Sequence, residues 1–193
     1  FPYTTLFRSS ASRAAQDLID RGQPVPPDVA AKMGLSSADG VARATGAVLK
    51  IGANVATERT PGALTLLLGP GAHVEIGDRT WLRTELEPIH ISVFDGARLV
   101  LGPDSWLNGC HLSAKHAIVG GRRTWIGPGC RVIDSDQHDL DATHQEQGGP
   151  ITIGDHVWIT SDVTVLRGVR IGSHAVIGAR SLVNRDVPDH TLA

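Results

Sequence analysis

The sequence predicts an all-β solenoid in which short strands and turns repeat along the chain and stack as triangular coils. Three observations predict it. An apolar residue followed by glycine recurs every 25 residues through the middle of the chain, and from Ile153 onward an aliphatic residue recurs every six residues. Four positions after these aliphatic residues the side chain is small or β-branched. A six-residue period is neither the period of two of a simple strand nor the 3.6 of a helix, so each unit is interpreted as a short strand followed by a turn.

The N-terminal part of the chain lies outside this repeat. Residues 1–9 resemble the translation of a DNA-sequencing adapter, so we exclude them from the fold prediction as non-native. Residues 10–45 are predicted to form a partly helical cap on the open end of the solenoid. Its weakly helical runs are 12–19 and 28–33, separated by the proline-rich break at 24–27.

The solenoid itself is predicted over residues 46–193. Three six-residue units make one coil of 18 residues, whose inward side chains stack on the coils above and below. The 25-residue period is then one coil plus a loop of seven residues. The aliphatic anchors of the first part are Ile51, Ile76, Leu101 and Ile126, with Val55, Thr80, Ser105 and Cys130 in the small slot. The anchors of the second part are Ile153, Ile159, Val165, Ile171, Ile177 and Val183.

Insertions between coils are marked by the four tryptophans, each of which precedes an apolar anchor. They are Trp81, Trp106, Trp125 and Trp158. Subtracting one 18-residue coil from their separations leaves insertions of 7, 1 and 15 residues. The largest falls at about 135–150, a polar stretch that contains His138 and His144. Because inserted loops on solenoids often carry function, this loop is the first place to seek a site.

Composition excludes several classes of protein. The 18 basic residues are balanced by 20 acidic ones with no block of like charge, which argues against nucleic acid or an anionic membrane as a partner. No apolar run approaches the roughly 20 residues of a spanning helix. The two cysteines, Cys110 and Cys130, cannot form a disulfide framework. We therefore expect a cytoplasmic globular protein.

The C-terminal repeats resemble a known family. Residues 154–159 read GDHVWI and residues 176–188 read VIGARSLVNRDVP. Both are similar to the hexapeptide-repeat acyltransferases, in the branch of maltose, galactoside and capsule-sugar O-acetyltransferases, and the resemblance is strongest over 126–193. It implies a left-handed parallel β-helix, a homotrimer, acetyl-CoA as cosubstrate and no metal.

The resemblance implies a general base. In that branch a loop histidine in a His-x-Leu-Asp setting deprotonates the acceptor hydroxyl, and residues 138–141 read HDLD here. His138 is therefore predicted to be the base, a role that suits imidazole because its ordinary pKa lies close to neutral pH. One of Asp136, Asp139 and Asp141 is expected to fix its tautomer, and the sequence leaves open which one.

Further site residues follow by matching positions. The family's coenzyme A contacts fall at Trp158, Ser161, Ala179, Asn184 and Arg185. Thr160 and Arg180 replace glycines that the family usually has, and Asn184 stands where threonine is common, so the cofactor path is left open. The family normally continues with a Gly-x-Pro segment beyond this point, so the resemblance implies a truncated C-terminus.

The acceptor site is the least defined part. Asn108 resembles an asparagine that relatives place near the acceptor, and a turn asparagine with a left-handed backbone is an equal alternative. Asp136 is the second candidate contact. Sugar hydroxyl, serine hydroxyl and amino-sugar nitrogen all suit a histidine base, and the fold does not choose among them.

Two other functions remain open at this stage. His111 and His116 have the spacing that γ-class carbonic anhydrases use for two zinc ligands, and His90 is available as a third. The other alternative is a solenoid protein without enzymatic activity, because other residues replace glycines along the coenzyme A path.

Overall fold

The fold consists of strands and turns that wind into stacked three-sided coils. The structure, a computed structural model, describes residues 4–5, 41–43, 46–57, 64–139 and 141–193. Across those ranges it contains 20 strands. No helix within them is long and apolar enough to span a bilayer.

The strands are two to five residues long, which is what a six-residue unit of strand plus turn allows. They are β1 Thr4–Thr5, β2 Val41–Arg43, β3 Val48–Ile51, β4 Ala56–Thr57, β5 Leu64–Leu68, β6 His73–Ile76, β7 Trp81–Arg83, β8 Ile89–Val93, β9 Arg98–Leu101, β10 Trp106–Asn108, β11 His111–Ala114, β12 Ala117–Gly120, β13 Trp125–Ile126, β14 Arg131–Ile133, β15 Ile151–Ile153, β16 Trp158–Ile159, β17 Thr164–Val165, β18 Arg170–Ile171, β19 Val176–Ile177 and β20 Leu182–Val183.

The strands form three sheets, which are the three sides of the solenoid. Sheet 1 has the order β1-β4-β7-β10-β13-β16-β19, sheet 2 the order β2-β5-β8-β11-β14-β17-β20, and sheet 3 the order β18-β15-β12-β9-β6-β3. Every strand pair except β1 with β4 is parallel. The chain passes from sheet 3 to sheet 1, then to sheet 2 and back, so we name the turns between them corner 3/1, corner 1/2 and corner 2/3. This is a parallel β-helix, as the six-residue repeat predicted.

The core is a single column of aliphatic side chains along the solenoid axis. The predicted anchors pair with one another in register, for example Ile159 with Ile177, and the predicted small residues fill the slot behind them. The anchors Ile153, Ile159, Val165, Ile171 and Ile177 are at most 4% exposed. Cys110 and Cys130 are free and buried in the same column, and burial raises the pKa of the Cys130 thiol to about 11. The prediction of inward stacking is confirmed.

Left-handed backbone recurs at the corners because each turn must bend the chain sharply from one sheet to the next within about four residues. At corner 3/1 the third residue of the turn has positive φ in seven successive coils. These residues are Asn54, Arg79, Asp104, Arg123, His156, His174 and His190. At corner 1/2 the same conformation is adopted by Gly109, Gly129, Asp162 and Arg180. Side chains at these positions project outward, so polar and charged residues are accepted there.

The N-terminal part differs from the sequence prediction in two places. Strand Val41–Arg43 pairs in parallel with β5, so a solenoid strand lies ahead of residue 46 and within the segment assigned to the cap. Strand Thr4–Thr5 pairs antiparallel with β4 at the edge of sheet 1. The predicted helical runs at 12–19 and 28–33 lie outside the described residues.

The stacked core predicts a strong dependence of stability on buried position. Leu107 is fully buried against the coils on either side, whereas Leu86 is 62% exposed. Leu107→Ala should lower the free energy of unfolding by about 2–5 kcal/mol because it leaves a cavity that the rigid coils cannot close. The same substitution at Leu86 should change it by less than about 0.5 kcal/mol. Urea unfolding of both variants measures the difference, and equal effects would contradict the proposed packing.

Candidate active site

The longest loop of the solenoid leaves it at corner 2/3. It spans residues 134–150, between β14 and β15, and we call it the long loop. Its first residue, Asp134, is fully buried, and its two carboxylate oxygens accept hydrogen bonds from the backbone N–H groups of Lys115 and His116 at 2.7 and 2.8 Å. Gly149 N donates to Asp134 O at 2.9 Å. One buried carboxylate therefore joins the base of the loop to the coil below.

A lysine ties the outer part of the long loop to the same coil. Lys115 Nζ lies 2.8 Å from both carboxylate oxygens of Glu146 and 3.2 Å from Gln137 O. It also lies 5.3 Å from the centre of the Phe94 ring, a cation–π contact. The hydrogen bond from Lys115 lowers the pKa of Glu146. Both limbs of the loop thus contact one ammonium group.

The two limbs also pair with each other. Ser135 and Gly148 form an antiparallel bridge, and Asp136 N donates to Gln147 O at 2.8 Å. Arg167, on the coil above, donates from Nε to Asp136 Oδ1 at 2.7 Å, and this hydrogen bond lowers the pKa of Asp136. The long loop is an ordered arch held by coils on both sides.

His138 lies on this arch and is exposed to solvent. It follows Gln137, whose φ of +70° turns the chain outward. The three carboxylates expected to orient it bind elsewhere: Asp136 to Arg167, Asp139 to the backbone N–H of Glu146 at 2.6 Å, and Asp141 to residues further along the loop. Among the described residues, none makes a hydrogen bond to the imidazole of His138, so an orienting aspartate stays a prediction.

The loop does contain one oriented histidine, which the sequence analysis did not predict. Asp141 Oδ1 lies 2.9 Å from His144 Nδ1 and also accepts hydrogen bonds from the backbone and side chain of Thr143. Hydrogen bonds from Thr143 and then from His144 lower the pKa of Asp141 to about 2. The signal was the Asp-x-x-His spacing, which places both side chains on one turn. His144 is 70% exposed, and its partner marks it as part of a structural turn.

The residues matched to coenzyme A contacts lie in three places. Trp158 is on the outer face of sheet 1, where it is 50% exposed. Ser161 and Ala179 occupy corner 1/2 in consecutive coils, joined by the hydrogen bond from Arg180 N to Ser161 O at 3.0 Å. Asn184 and Arg185 follow β20 and are exposed at corner 2/3 of the last complete coil.

The two residues that replace family glycines are accommodated without distorting the coils. Arg180 adopts φ of +62° and its side chain is 86% exposed, with Nε 3.8 Å from Asp162 Oδ2. Thr160 donates from Oγ1 to Ile177 O at 2.7 Å, which adds a side-chain bond to the ladder between coils. Arg180 therefore adds a charged group at corner 1/2, and Thr160 adds a hydrogen bond.

Asn108 ends β10 at corner 1/2 and carries a buried oxygen without a partner. Its Oδ1 has no hydrogen bond to any described residue. The left-handed residue of this turn is Gly109, with φ of +57°, so the alternative explanation of Asn108 as a left-handed turn residue is wrong. A buried acceptor left unpaired is costly, which makes Asn108 a polar group available to a bound molecule.

The four tryptophans form a column on the outer face of sheet 1. Trp81 contacts Trp106 edge-to-face at 5.3 Å, and Trp106 stacks on Trp125 at 5.5 Å. Trp158 continues the column in register with Trp125. Trp106, Trp125 and Trp158 are each more than 40% exposed. These side chains form an exposed apolar surface, a feature that is common at interaction sites.

The three histidines considered as zinc ligands do not converge on one point. His90 and His111 face outward from sheet 2 with ring centres 6.3 Å apart, whereas His116 lies at corner 2/3 beside Gly148. Over the described ranges, no group of three or more His, Cys, Asp or Glu side chains has the geometry to hold a metal ion. Partial burial and then the neighbouring His90 and Arg131 lower the pKa of His111.

Comparison with known proteins agrees with this architecture. Residues 150–185 match the family described as bacterial transferase hexapeptide (six repeats). This part of the chain therefore carries hexapeptide repeats. The crystal structure of the polySia-specific acetyltransferase NeuO superimposes with a TM-score of 0.56 at 23% identity, covering 75% of this chain and 76% of NeuO. The left-handed parallel β-helix implied by the resemblance is confirmed.

Two relatives match a longer part of the chain. The galactoside O-acetyltransferase of Escherichia coli K12 is 29% identical over 122 residues, which is 61% of this chain and 58% of that protein. YJL218W of Saccharomyces cerevisiae, named as an acetyltransferase candidate, is 30% identical over 127 residues, which is 64% of this chain and 52% of that protein. The chain thus spans a little over half the length of both relatives.

The buried carboxylate at the base of the long loop predicts a stability effect. Asp134→Ala leaves the N–H groups of Lys115 and His116 without their acceptor, and an unsatisfied buried group costs about 1–3 kcal/mol. We expect that loss in urea unfolding, together with faster cleavage after Glu146 by a glutamate-specific protease. Asp134→Asn keeps one carbonyl acceptor and should recover part of both properties. Wild-type cleavage by Asp134→Ala would contradict the anchoring role.

Proposed function

We propose that this chain is an acetyl-CoA-dependent O-acetyltransferase that acetylates a hydroxyl of a sugar or a similar small acceptor. The observation that carries the proposal is the position of His138, exposed on the one long arch of a hexapeptide-repeat solenoid. The names of its relatives support the reaction class: one is a galactoside O-acetyltransferase, and NeuO is a polySia-specific acetyltransferase. The resemblance of residues 154–159 and 176–188 to the O-acetyltransferase branch supports acetyl-CoA as the cosubstrate.

The proposed chemistry is direct transfer. Imidazole accepts a proton near neutral pH, so His138 removes the proton of the acceptor hydroxyl as its oxygen attacks the thioester carbonyl. A carbon–oxygen bond forms and the carbon–sulfur bond breaks. The proton then passes from His138 to the leaving coenzyme A thiolate. Neither an acyl-enzyme nor a metal is needed to balance this step.

The geometry supports a site shared between copies of the chain. His138 projects from corner 2/3, which is the corner opposite sheet 1 in a three-sided solenoid, whereas Trp158 is on the outer face of sheet 1. A protomer therefore cannot bring its own Trp158 to its own His138. We propose a homotrimer in which the long loop of one protomer faces the tryptophan column of the next. The exposed aromatic surface supports this arrangement.

The proposed base predicts a specific kinetic loss. His138→Ala should lower kcat by about 10²- to 10⁴-fold, the usual contribution of a positioned base, while the affinity for acetyl-CoA stays nearly unchanged. The measurement is thiol release from acetyl-CoA with a panel of sugars, alongside coenzyme A binding by calorimetry.

Two matched variants control for the loss of an imidazole. His144→Ala removes the histidine of the structural turn, and His111→Ala removes one on sheet 2; both should retain most of the activity. Near-normal turnover by His138→Ala would overturn the assignment. Loss of activity in His111→Ala with stoichiometric zinc would instead restore the anhydrase alternative.

The shared site predicts complementation between defective protomers. Trp158→Ala should raise KM for acetyl-CoA, because it removes one wall of the proposed cofactor site. In a co-expressed equal mixture with His138→Ala, about a quarter of the sites in closed three-fold assemblies pair an intact His138 with an intact Trp158. Activity at low acetyl-CoA should then exceed that of either variant alone. No gain would mean that each site lies within one protomer, and a monomeric active protein in sedimentation would exclude the trimer.

A further inference from the structure

Three histidines stack at corner 3/1 in the last three coils. The ring centres of His156 and His174 are 4.8 Å apart with 25° between their planes. Those of His174 and His190 are also 4.8 Å apart, with 1° between their planes. All three side chains are exposed. We call this column the histidine ladder.

The fold explains why the three rings are in register. Each histidine has φ close to +60°, and each backbone N–H donates to a carbonyl of the preceding coil: His156 to Arg122, His174 to Asp155 and His190 to Ser173, at 2.8–2.9 Å. Histidine is among the residues that tolerate this conformation. The fold does not require it, because the same position is held by Asn54, Arg79, Asp104 and Arg123 in the earlier coils.

The nitrogens of the histidine ladder are free to bind a ligand. In the part of the chain that the structure describes, no side-chain hydrogen bond or ion pair engages any of the three imidazoles. Two neutral imidazoles about 2.0–2.1 Å from one zinc ion have their nitrogens about 4 Å apart or less. The two rings are parallel, so their nitrogen lone pairs converge on one tetrahedral ion after each side chain rotates by roughly 50°. Both side chains are exposed, which leaves room for this rotation. A surface pair of this kind leaves the remaining coordination positions to water.

The charges around the ladder favour its C-terminal pair. Arg122 and Arg123 occupy the coil next to His156 and oppose a cation there. Asp189 precedes His190 as Asp155 precedes His156, and each carboxylate accepts a hydrogen bond from a backbone N–H of the preceding coil, Ser173 N at 2.9 Å and Arg122 N at 2.8 Å. The two arginines therefore make the difference between the two ends of the ladder. Arg170 Nη2, 3.8 Å from Asp189 Oδ1, offsets part of the charge of Asp189.

We propose that His174 and His190 bind a borderline divalent cation, with zinc as the representative ion, on the surface of corner 3/1. Imidazole suits Zn²⁺, Cu²⁺ and Ni²⁺, whereas the hard cations Mg²⁺ and Ca²⁺ prefer oxygen ligands. The ion joins two successive coils. Between these coils the pairs Ile171–Val187 and Val176–Leu192 are isolated bridges instead of full strands. The bound ion therefore stabilises the C-terminal coil, independently of acetyl transfer at corner 2/3.

Zinc titration of the full chain tests this inference. Calorimetry with zinc alone should show binding, and zinc should raise Tm, because a ligand that binds only the folded state stabilises it. His174→Asn should weaken zinc binding at least tenfold and abolish the rise in Tm. Asparagine is the appropriate replacement because Asn54 already adopts the same backbone conformation at this corner.

Other histidines provide the controls. His156→Asn should bind zinc within about twofold of wild type, because it leaves the proposed pair intact, and His73→Asn on sheet 3 should behave likewise. His190→Asn should match His174→Asn. Wild-type zinc binding by His174→Asn, loss of binding in His156→Asn, or loss in His111→Asn from the pair on sheet 2 would each overturn the assignment.

Discussion

The hydrogen-bond ladder between parallel coils is the constraint on which the rest of the structure depends. It holds equivalent residues of successive coils at the spacing of neighbouring strands, about 4.8 Å. A residue is therefore in contact with its equivalents one coil above and one coil below. Inward columns must match in volume, which is why Thr80 and Ser105 fill the same slot as Val55. Outward columns must match in charge, as in the bidentate pair of Arg79 with Asp104.

The same constraint determines where a site can form. A filled solenoid with flat faces has no interior cavity to receive a substrate, so reactive groups must come from insertions at the corners or from a neighbouring copy. Lengthening a loop lowers the stability of the fold only slightly, because the entropy cost of closing the loop grows slowly with its length. Holding a long loop in one conformation requires specific contacts. Here the buried Asp134 at the base of the loop and Arg167 on the coil above supply them. His138 is thus carried on an ordered arch that leaves its own ring free.

The repeat made most of the fold predictable from sequence. The anchors, the small slot, the tryptophan column and the position of the long loop follow from a count of residues, because a period of six can be buried in only one way. The contacts that order the loop were not predictable. Lys115 meets Glu146 across 31 residues, and that pairing depends on the path of a loop with no repeat of its own. The strand Val41–Arg43 was missed because it lies ahead of Gly46 and Ala47, where the 25-residue Gly-Ala series begins.

The corners also show how a solenoid of ordinary residues tolerates repeated backbone strain. Ten described residues other than glycine have positive φ, and each such residue costs of order 1–3 kcal/mol. At corners 3/1 and 1/2 this conformation points the backbone N–H towards a carbonyl of the preceding coil. Asp104 N donates to Asp78 O, and Arg180 N donates to Ser161 O. A hydrogen bond contributes about 0.5–1.5 kcal/mol, so each of these bonds offsets part of the strain at its corner. The side chain at each corner is left to project into solvent, where its chemistry can vary without disturbing the core.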